Sequence, residues 1–459
     1  MQKPTTSFFK SEINQIAFIA IPIAFAQLCQ MAMGVTDTIL LGGINKQALA
    51  VGGLATNIFF TICVILQSAL NSSGILIAQS IGAGRYNEVP KIYYTTYIFG
   101  LLLCIPCYLI LNQADYILYY MGEEKEIITL TVQFLKILLW GMPPLLIGAG
   151  LIRVVLPALN ASKILLQIIP LMTIVNGLLN AAFIYGLWGF PKMGLNGSAL
   201  GTTICMWLGS FALIGYSHSR SYLKKYFYPF SINLNYLWPL IKLGLPICIA
   251  AAAEMLVFMV TTLRVGLFGT DNLAAHNIAL NCATFTFMIP LAIAQAANVR
   301  VGYWMGARRV LRARQSGFLT IGLGGSIMAF IGLVIFLFPT SIINFFIDTN
   351  NPINHNTILI AITLLKIMAL FQVVDGLQTV ANGALRGLKD TTIPMIICIF
   401  GYWGIGFFVG KWLAFDLQWK TEGLWIGLAL GLASVAIMLN LRFVRLTFRP
   451  KEMLKMTSK

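Results

Sequence analysis

The sequence predicts an all-α polytopic membrane protein, with twelve transmembrane helices in two parallel six-helix repeats related by a pseudo-two-fold axis along the membrane normal. Three observations carry that reading. Of 459 residues, 58% are hydrophobic and only 10% are charged, whereas a soluble domain has about 45–50% apolar and about 25% charged residues. The apolar residues fall in runs of about 20 or more, the length of a helix that crosses a bilayer. Segments of the first half also recur in the second, in order and at nearly constant spacing. The composition excludes a water-soluble enzyme, a secreted disulfide scaffold and a disordered hub.

The elements follow in order from hydropathy and breaking residues. Polar residues 1–14 run straight into an apolar segment with no small-residue cleavage site, so a first span is expected there rather than a signal peptide. The spans fall near 13–38, 50–78, 92–112, 129–152, 162–186, 195–217, 237–264, 273–299, 315–340, 357–385, 392–414 and 421–445. The third contains Cys104 and Cys107 at redox-motif spacing, without a neighbouring His or charge. With Cys29, Cys63, Cys205, Cys248, Cys282 and Cys398 they read as core cysteines. The expected organisation is a first lobe over 1–217, a cytoplasmic linker over 218–236, and a second lobe with a basic tail over 237–459.

The net charge is +16, from 31 Lys and Arg against 15 Asp and Glu. In a membrane protein this excess belongs to cytoplasmic loops, so no nucleic-acid partner is expected. On the side of the N-terminus lie 22 basic residues, among them Arg85, Arg153, Arg220, Arg300, Arg312, Arg386 and six in the C-terminal tail. The opposite loops hold six: Lys46, Lys125, Lys192, Arg264, Lys411 and Lys420. Both termini are therefore expected in the cytoplasm, which agrees with an even number of spans.

Residues 22–83 align without a gap onto 246–307, with identical pairs such as Pro22/Pro246, Gly42/Gly266, Asn57/Asn281 and Gly82/Gly306. Further on, Gly197-Ser-Ala-Leu-Gly201 matches Gly427-Leu-Ala-Leu-Gly431, and Lys136 matches Lys366. Six spans per half give both halves one orientation, an architecture of transporters with the binding site between the halves.

Three acids fall inside apolar helices: Asp37, Glu254 and Asp375. A charge there costs at least about 2.5 kcal/mol. Each reads either as a structural carboxylate or as part of a cation or proton path, where protonation, metal binding and organic-cation binding compete. Asp37 aligns with Thr261 and Glu254 with Gln30, so the two halves need not do the same job. Asn176 and Asn180, four residues apart, share a helix face; they can solvate a buried carboxylate, coordinate an ion or glue helices. His276, beside Asn277, reads as a proton relay or as a capping or interfacial histidine. Lys136 and Lys366 are expected to snorkel. Pro22 and Pro246 each remove a backbone hydrogen bond mid-span, giving a static bend or a hinge.

No Gly-rich loop followed by Lys-Ser or Lys-Thr is present, which argues against ATP-driven transport. No zinc motif or repeated filter sequence is found either. Na⁺ is a hard cation that takes several oxygens. Glu254 and Asp375 can supply up to four, with Asn277, Gln378 and backbone carbonyls to complete the shell. A proton needs only one carboxylate, so Na⁺ is expected over H⁺ as the coupling ion, with H⁺ the alternative.

The chain resembles the multidrug and toxic compound extrusion (MATE) transporters, and within them the bacterial NorM-like branch. The matching segments are Met33-Gly-Val-Thr-Asp37-Thr38, Asn176-Gly-Leu-Leu-Asn180, Ala274-Ala-His276-Asn277, Arg300-Val-Gly302 and Gln372-Val-Val-Asp375-Gly-Leu-Gln378, which runs on to Leu385-Arg-Gly-Leu-Lys-Asp-Thr391. The resemblance implies Na⁺- or H⁺-driven export of organic cations across the bacterial inner membrane. Alternating access, no covalent cofactor, and a monomer among lipids acting on small cationic or amphipathic molecules are expected with it. Its functional positions map onto Asp37, Asn176 and Asn180 in the first half and Glu254 and Asp375 in the second. One departure is visible: some NorM-like relatives have a tyrosine one turn before the tenth-span aspartate, where this chain has Phe371. The wider superfamily contains lipid-oligosaccharide flippases, whose pyrophosphate-linked cargo needs a cationic cavity. The acids here favour a cationic cargo.

Overall fold

The computed structural model describes residues 6–120, 122–349 and 351–449. The basic residues Lys3, Lys451, Lys455 and Lys459, counted above toward orientation, lie outside them. Among the described residues, twelve helices are long and apolar enough to cross a membrane. They are α1 (Phe8–Gly42), α2 (Lys46–Gly82), α3 (Tyr86–Asn112), α4 (Lys125–Ala158), α5 (Lys163–Tyr185) and α6 (Leu195–Ser219) in the first half. In the second half they are α7 (Leu234–Phe268), α8 (Thr270–Gly306), α9 (Val310–Leu337), α10 (Pro352–Gly387), α11 (Thr392–Asp416) and α12 (Lys420–Thr447). Among the described residues there is no strand. Helices are what a lipid-immersed chain must form, because each satisfies its own backbone polar groups.

Helix ends and breaks have local causes. Asn45 caps α2, its Oδ1 accepting from the Ala48 amide at 2.6 Å. α2 is interrupted at Ala69 and Leu70. Around the break, Ser68, Asn71, Ser72 and Ser73 donate to nearby backbone carbonyls at 2.6–2.9 Å, replacing part of what the helix loses. Gly186, in the left-handed region at φ 74°, ends α5. Wider π-helical turns occur in α4 (Pro144–Gly150) and twice in α11 (Phe400–Phe407 and Trp412–Asp416).

One sequence expectation needs correcting. The sequence puts Glu12 before the first span, but α1 begins earlier and Glu12 is buried within it, at 2% exposure. Glu12 thus joins Asp37, Glu254 and Asp375 as an acid buried or half-buried within a long apolar helix. Glu12 escaped notice because the neighbouring Lys10 and Ser11 made the segment read as polar.

The repeated glycine motif has a packing reason. A methyl group at Gly197 would stand 2.5 Å from the Phe183 carbonyl oxygen, so α6 lies directly against the α5 backbone. In the second half, Gly427 and Gly431 meet the backbones of Gly410 and Gly406, bringing α12 against α11. Small residues one turn apart let helices approach closely in lipid, where contact comes from packing and not from water exclusion.

The fold divides into two compact units, Ile21–Cys248 and Met1–Ala20 with Ile249–Lys459. Both boundaries fall inside unbroken helices, α1 and α7, next to Pro22 and Pro246. Within the first of these units the linker is fixed to α3. The Tyr94 hydroxyl donates to the Phe227 carbonyl at 3.0 Å, and Thr95 Oγ1 exchanges hydrogen bonds with the Asn233 backbone. All eight cysteines are unbridged. Cys107 has Cys63 as its neighbour, 3.7 Å between sulfurs, within an apolar cluster.

Candidate functional site

The membrane acids Asp37, Glu254 and Asp375 fall into two clusters of polar side chains, one in each unit. In the unit Ile21–Cys248, α1 supplies Asp37, α5 supplies Asn176 and Asn180, and α6 supplies Thr202. The four-residue spacing puts both asparagines on the face of α5 that looks inward, where each is 0% exposed. Asn180 Nδ2 donates to Asp37 Oδ1 at 2.6 Å and to Thr202 Oγ1 at 3.2 Å. Asn176 Nδ2 reaches the same hydroxyl at 3.4 Å. Asp37 itself is half-buried. The oxygens of both amides are buried without a hydrogen-bond partner. A buried polar atom left unpaired costs about 1–3 kcal/mol. Gly201 makes this packing possible, because a side chain there would collide with Asn180 Oδ1.

The second cluster joins Glu254 of α7, Asp375 and Gln378 of α10, and Tyr402 of α11. A single amide nitrogen, Gln378 Nε2, donates to both carboxylates, at 3.2 Å to Asp375 Oδ1 and 3.4 Å to Glu254 Oε1. The Tyr402 hydroxyl donates to Gln378 Oε1 at 2.9 Å, which fixes which way the amide faces. Tyr402 lies in the π-helical segment of α11, a distortion that often accompanies functional side chains. Next to Glu254, the Ala253 carbonyl accepts from Trp403 Nε1 at 3.1 Å and ties α7 to α11. Arg386, near the end of α10, forms no ion pair with Glu254. Among the described residues, none of Asp37, Glu254 and Asp375 has a Lys or Arg within ion-pair distance.

Of the sequence candidates, Asp37 thus meets Asn180, and Glu254 meets Asp375 and Gln378. Asn277 is exposed. His276 is fully buried in a separate network. Its Nδ1 accepts from Trp425 Nε1 at 3.0 Å, so Nε2 carries the proton toward Thr262 Oγ1 at 2.9 Å. Thr262 in turn donates to the Phe258 carbonyl at 3.0 Å. Phe371 stacks on the same Trp425, ring centroids 5.7 Å apart, as an apolar wall. Pro22 and Pro246 lie within continuous helices. Lys136 and Lys366 are both exposed.

Sequence reasoning missed Thr202 and Tyr402. A signal existed for the first: Thr202 follows the repeated Gly201, whereas the matching position after Gly431 is Leu432. Tyr402 carried none, since a tyrosine among aromatic residues in an apolar span reads as packing.

The MatE family model matches residues 22–185 and again 246–412, so the two matches begin at the aligned prolines Pro22 and Pro246. A multidrug resistance protein NorM of Burkholderia vietnamiensis is 45% identical over 427 residues, 93% of this chain and 92% of that protein. A probable multidrug resistance protein NorM of Burkholderia mallei is 44% identical over 429 residues, 94% of this chain and 92% of that protein. Among solved structures, the eukaryotic MATE transporter AtDTX14 matches with a TM-score of 0.89 at 18% identity, over 98% of this chain and 99% of that one. An outward-facing multidrug resistance MATE family transporter of the MOP superfamily matches with a TM-score of 0.86 at 19% identity, over 98% and 100%. By the match of both halves and by its NorM relatives, this chain is a transporter of the MatE family and not an enzyme.

Proposed function

We propose that the protein is a secondary active antiporter that exports small organic cations across the bacterial inner membrane in exchange for Na⁺, with H⁺ the alternative ion. Both termini lie in the cytoplasm in this reading, and the transporter works as a monomer. The observation that carries it is the pair of acidic clusters, one per unit, in which amide donors and not Lys or Arg hold the carboxylates. A carboxylate held by neutral donors keeps its charge available to a cation, whereas an ion pair would already have spent it.

The chemistry follows from the donor sets. At the first cluster, Asp37 offers a carboxylate to a proton or a small hard cation, and the Thr202 hydroxyl with the two unpaired amide oxygens could add ligands to a cation if the amides turned. At the second, Glu254 and Asp375 face one amide together, so a cation arriving between them can displace the Gln378 N–H. Rotation of that amide would present its oxygen instead. Coupling ion and cationic cargo then compete for the same carboxylates, so binding of one releases the other. Alternating access turns this competition into export. Glu254→Gln tests the assignment. If the reading holds, a Na⁺ jump at fixed pH releases bound cationic dye from the wild type, and the variant blunts that release. Equal release by a folded Glu254→Gln protein would remove Glu254 from the mechanism.

A flippase for pyrophosphate-linked lipids is the second reading. One observation favours it: Arg153 and Arg386 each bury a guanidinium Nε without a hydrogen-bond partner. Competition between a lipid-linked pyrophosphate and the dye, lost in Arg153→Gln and Arg386→Gln, would support that reading over cation export.

A further inference from the structure

The Glu12 carboxylate accepts four hydrogen bonds, all from the unit that contains most of the second half. Arg300 grips it with both arms, Nε to Oε1 at 2.9 Å and Nη2 to Oε2 at 2.6 Å. Trp304 Nε1 donates to Oε1 at 3.1 Å and Ser316 Oγ at 2.7 Å. Arg300 and Trp304 are on α8 and Ser316 is on α9. Around them, Arg312 covers the rings of Phe8 and Trp304, at 5.5 and 4.9 Å from the centroids. This is the stronger kind of ion pair, bidentate and supplemented by neutral donors, and it sits at 2% exposure on the acid side. It explains why the start of α1 groups with Ile249–Lys459 while the rest of the same helix groups with Ile21–Cys248.

The repeat supplies an independent counterpart. At the aligned spacing of 224, Glu12 corresponds to Tyr236, Trp304 to Ser80 and Arg312 to Glu88. The Tyr236 hydroxyl faces Glu88 at the start of α7, and Ser80 Oγ donates to Glu88 Oε2 at 3.0 Å. Thr95 holds Asn233 three residues earlier. Both helices are thus fastened within their first two turns, with the acid on the helix in one case and on its receiving partner in the other.

We propose that Glu12 is a positioning residue for transport: its clasp on Arg300, Trp304 and Ser316 keeps the inner half of α1 attached to α8 and α9 throughout the transport cycle. The clasp rests on the transport reading only for its consequence, since the attachment itself can be measured without cargo. A permanent clasp makes α1 a strap, held at its start by α8 and α9 and running as one helix to Asp37. A gate would open and close instead, and four simultaneous hydrogen bonds on a buried carboxylate argue against routine opening.

The test uses the full-length protein in a Cys-less background. Cysteines at Phe8 and Arg312, joined by a short bifunctional thiol reagent, should leave dye efflux at the level of the untreated protein. Efflux that stops on cross-linking but continues in the unreacted protein would overturn the proposal, because the clasp would then have to open. Glu12→Gln should expose a cysteine placed at the buried Ile16 to a water-soluble thiol reagent and lower efflux by more than about tenfold. Wild-type protection of that cysteine in Glu12→Gln would also overturn it. If Glu12→Gln does not fold, Ser316→Ala removes a single donor and should raise the labelling rate at position 16 while leaving expression intact; an unchanged rate counts against the clasp. Failure of the transport reading would leave cross-linking and labelling unaltered and abolish dye efflux in every variant, wild type included.

Discussion

Gly201→Ala is a small change with a large expected effect on the first cluster. The added methyl would overlap Asn180 Oδ1 and stand 3.1 and 3.2 Å from the Asn180 nitrogen and Cα. The backbone contacts are tight but can relax by a few tenths of an ångström, whereas the side-chain overlap cannot. Asn180 must therefore rotate, and its 2.6 Å hydrogen bond to Asp37 is lost. A hydrogen bond to a charged group contributes about 1.5–3 kcal/mol. Any ligand that needs Asp37 charged and in place should bind about 10- to 100-fold more weakly. Equilibrium binding and efflux of a cationic dye in reconstituted vesicles would measure this. Gly215→Ala, on the same helix with open space around it, is the control and should behave as wild type. Because the effect passes through Asn180, the double variant with Asn180→Ala should be no worse than Asn180→Ala alone. Wild-type binding by Gly201→Ala, or losses that simply add in the double variant, would refute this account of the cluster.

Other expectations follow from the same geometry. Asp375→Asn should abolish or severely reduce efflux while folding survives; full activity would sink its assignment. Tyr402→Phe frees the Gln378 amide to turn, so ion selectivity should shift more than expression, read as altered Na⁺ dependence of dye release. Gly427→Ala sets a methyl against the Gly410 backbone, where nothing can yield cheaply, and should lower thermal stability by more than a typical overpacking change of about 1–3 kcal/mol. Single cysteines at Arg312 and Glu124 should label from opposite sides of the membrane, and same-side labelling would overturn the assigned topology.

The twelve spans were legible because bilayer thickness imposes a length and composition that few other structures share. Their ends were less so. Lys10 and Glu12 looked like loop residues, since sequence does not show that Arg300, almost three hundred positions later, neutralises Glu12. The break in α2 falls at the polar run Ser68, Asn71, Ser72 and Ser73, whose side chains bond the backbone there, but a window as long as a span averages that run away. Asp37, Glu254 and Asp375 stood out because charge in an apolar helix is costly. Asn176 and Asn180 stood out because their spacing matches a helix face. Thr202 and Tyr402 did not, since a hydroxyl in a membrane helix usually satisfies itself on its own backbone, as Thr261 does with the Val257 carbonyl at 2.8 Å. Asn277, expected to help complete a Na⁺ shell, is exposed, whereas Gln378 bonds both carboxylates.

The central claim is that an ion gradient drives export of a cation through these carboxylates. Its most direct measurement is efflux of a cationic dye from vesicles holding the purified protein, with sodium and proton gradients imposed one at a time. The account predicts dye movement driven by an inward Na⁺ gradient at equal pH, and its loss in Glu254→Gln. Dye movement under a proton gradient alone, with no response to Na⁺ at any pH, would contradict the choice of ion; no movement under either gradient would contradict cation-coupled export itself.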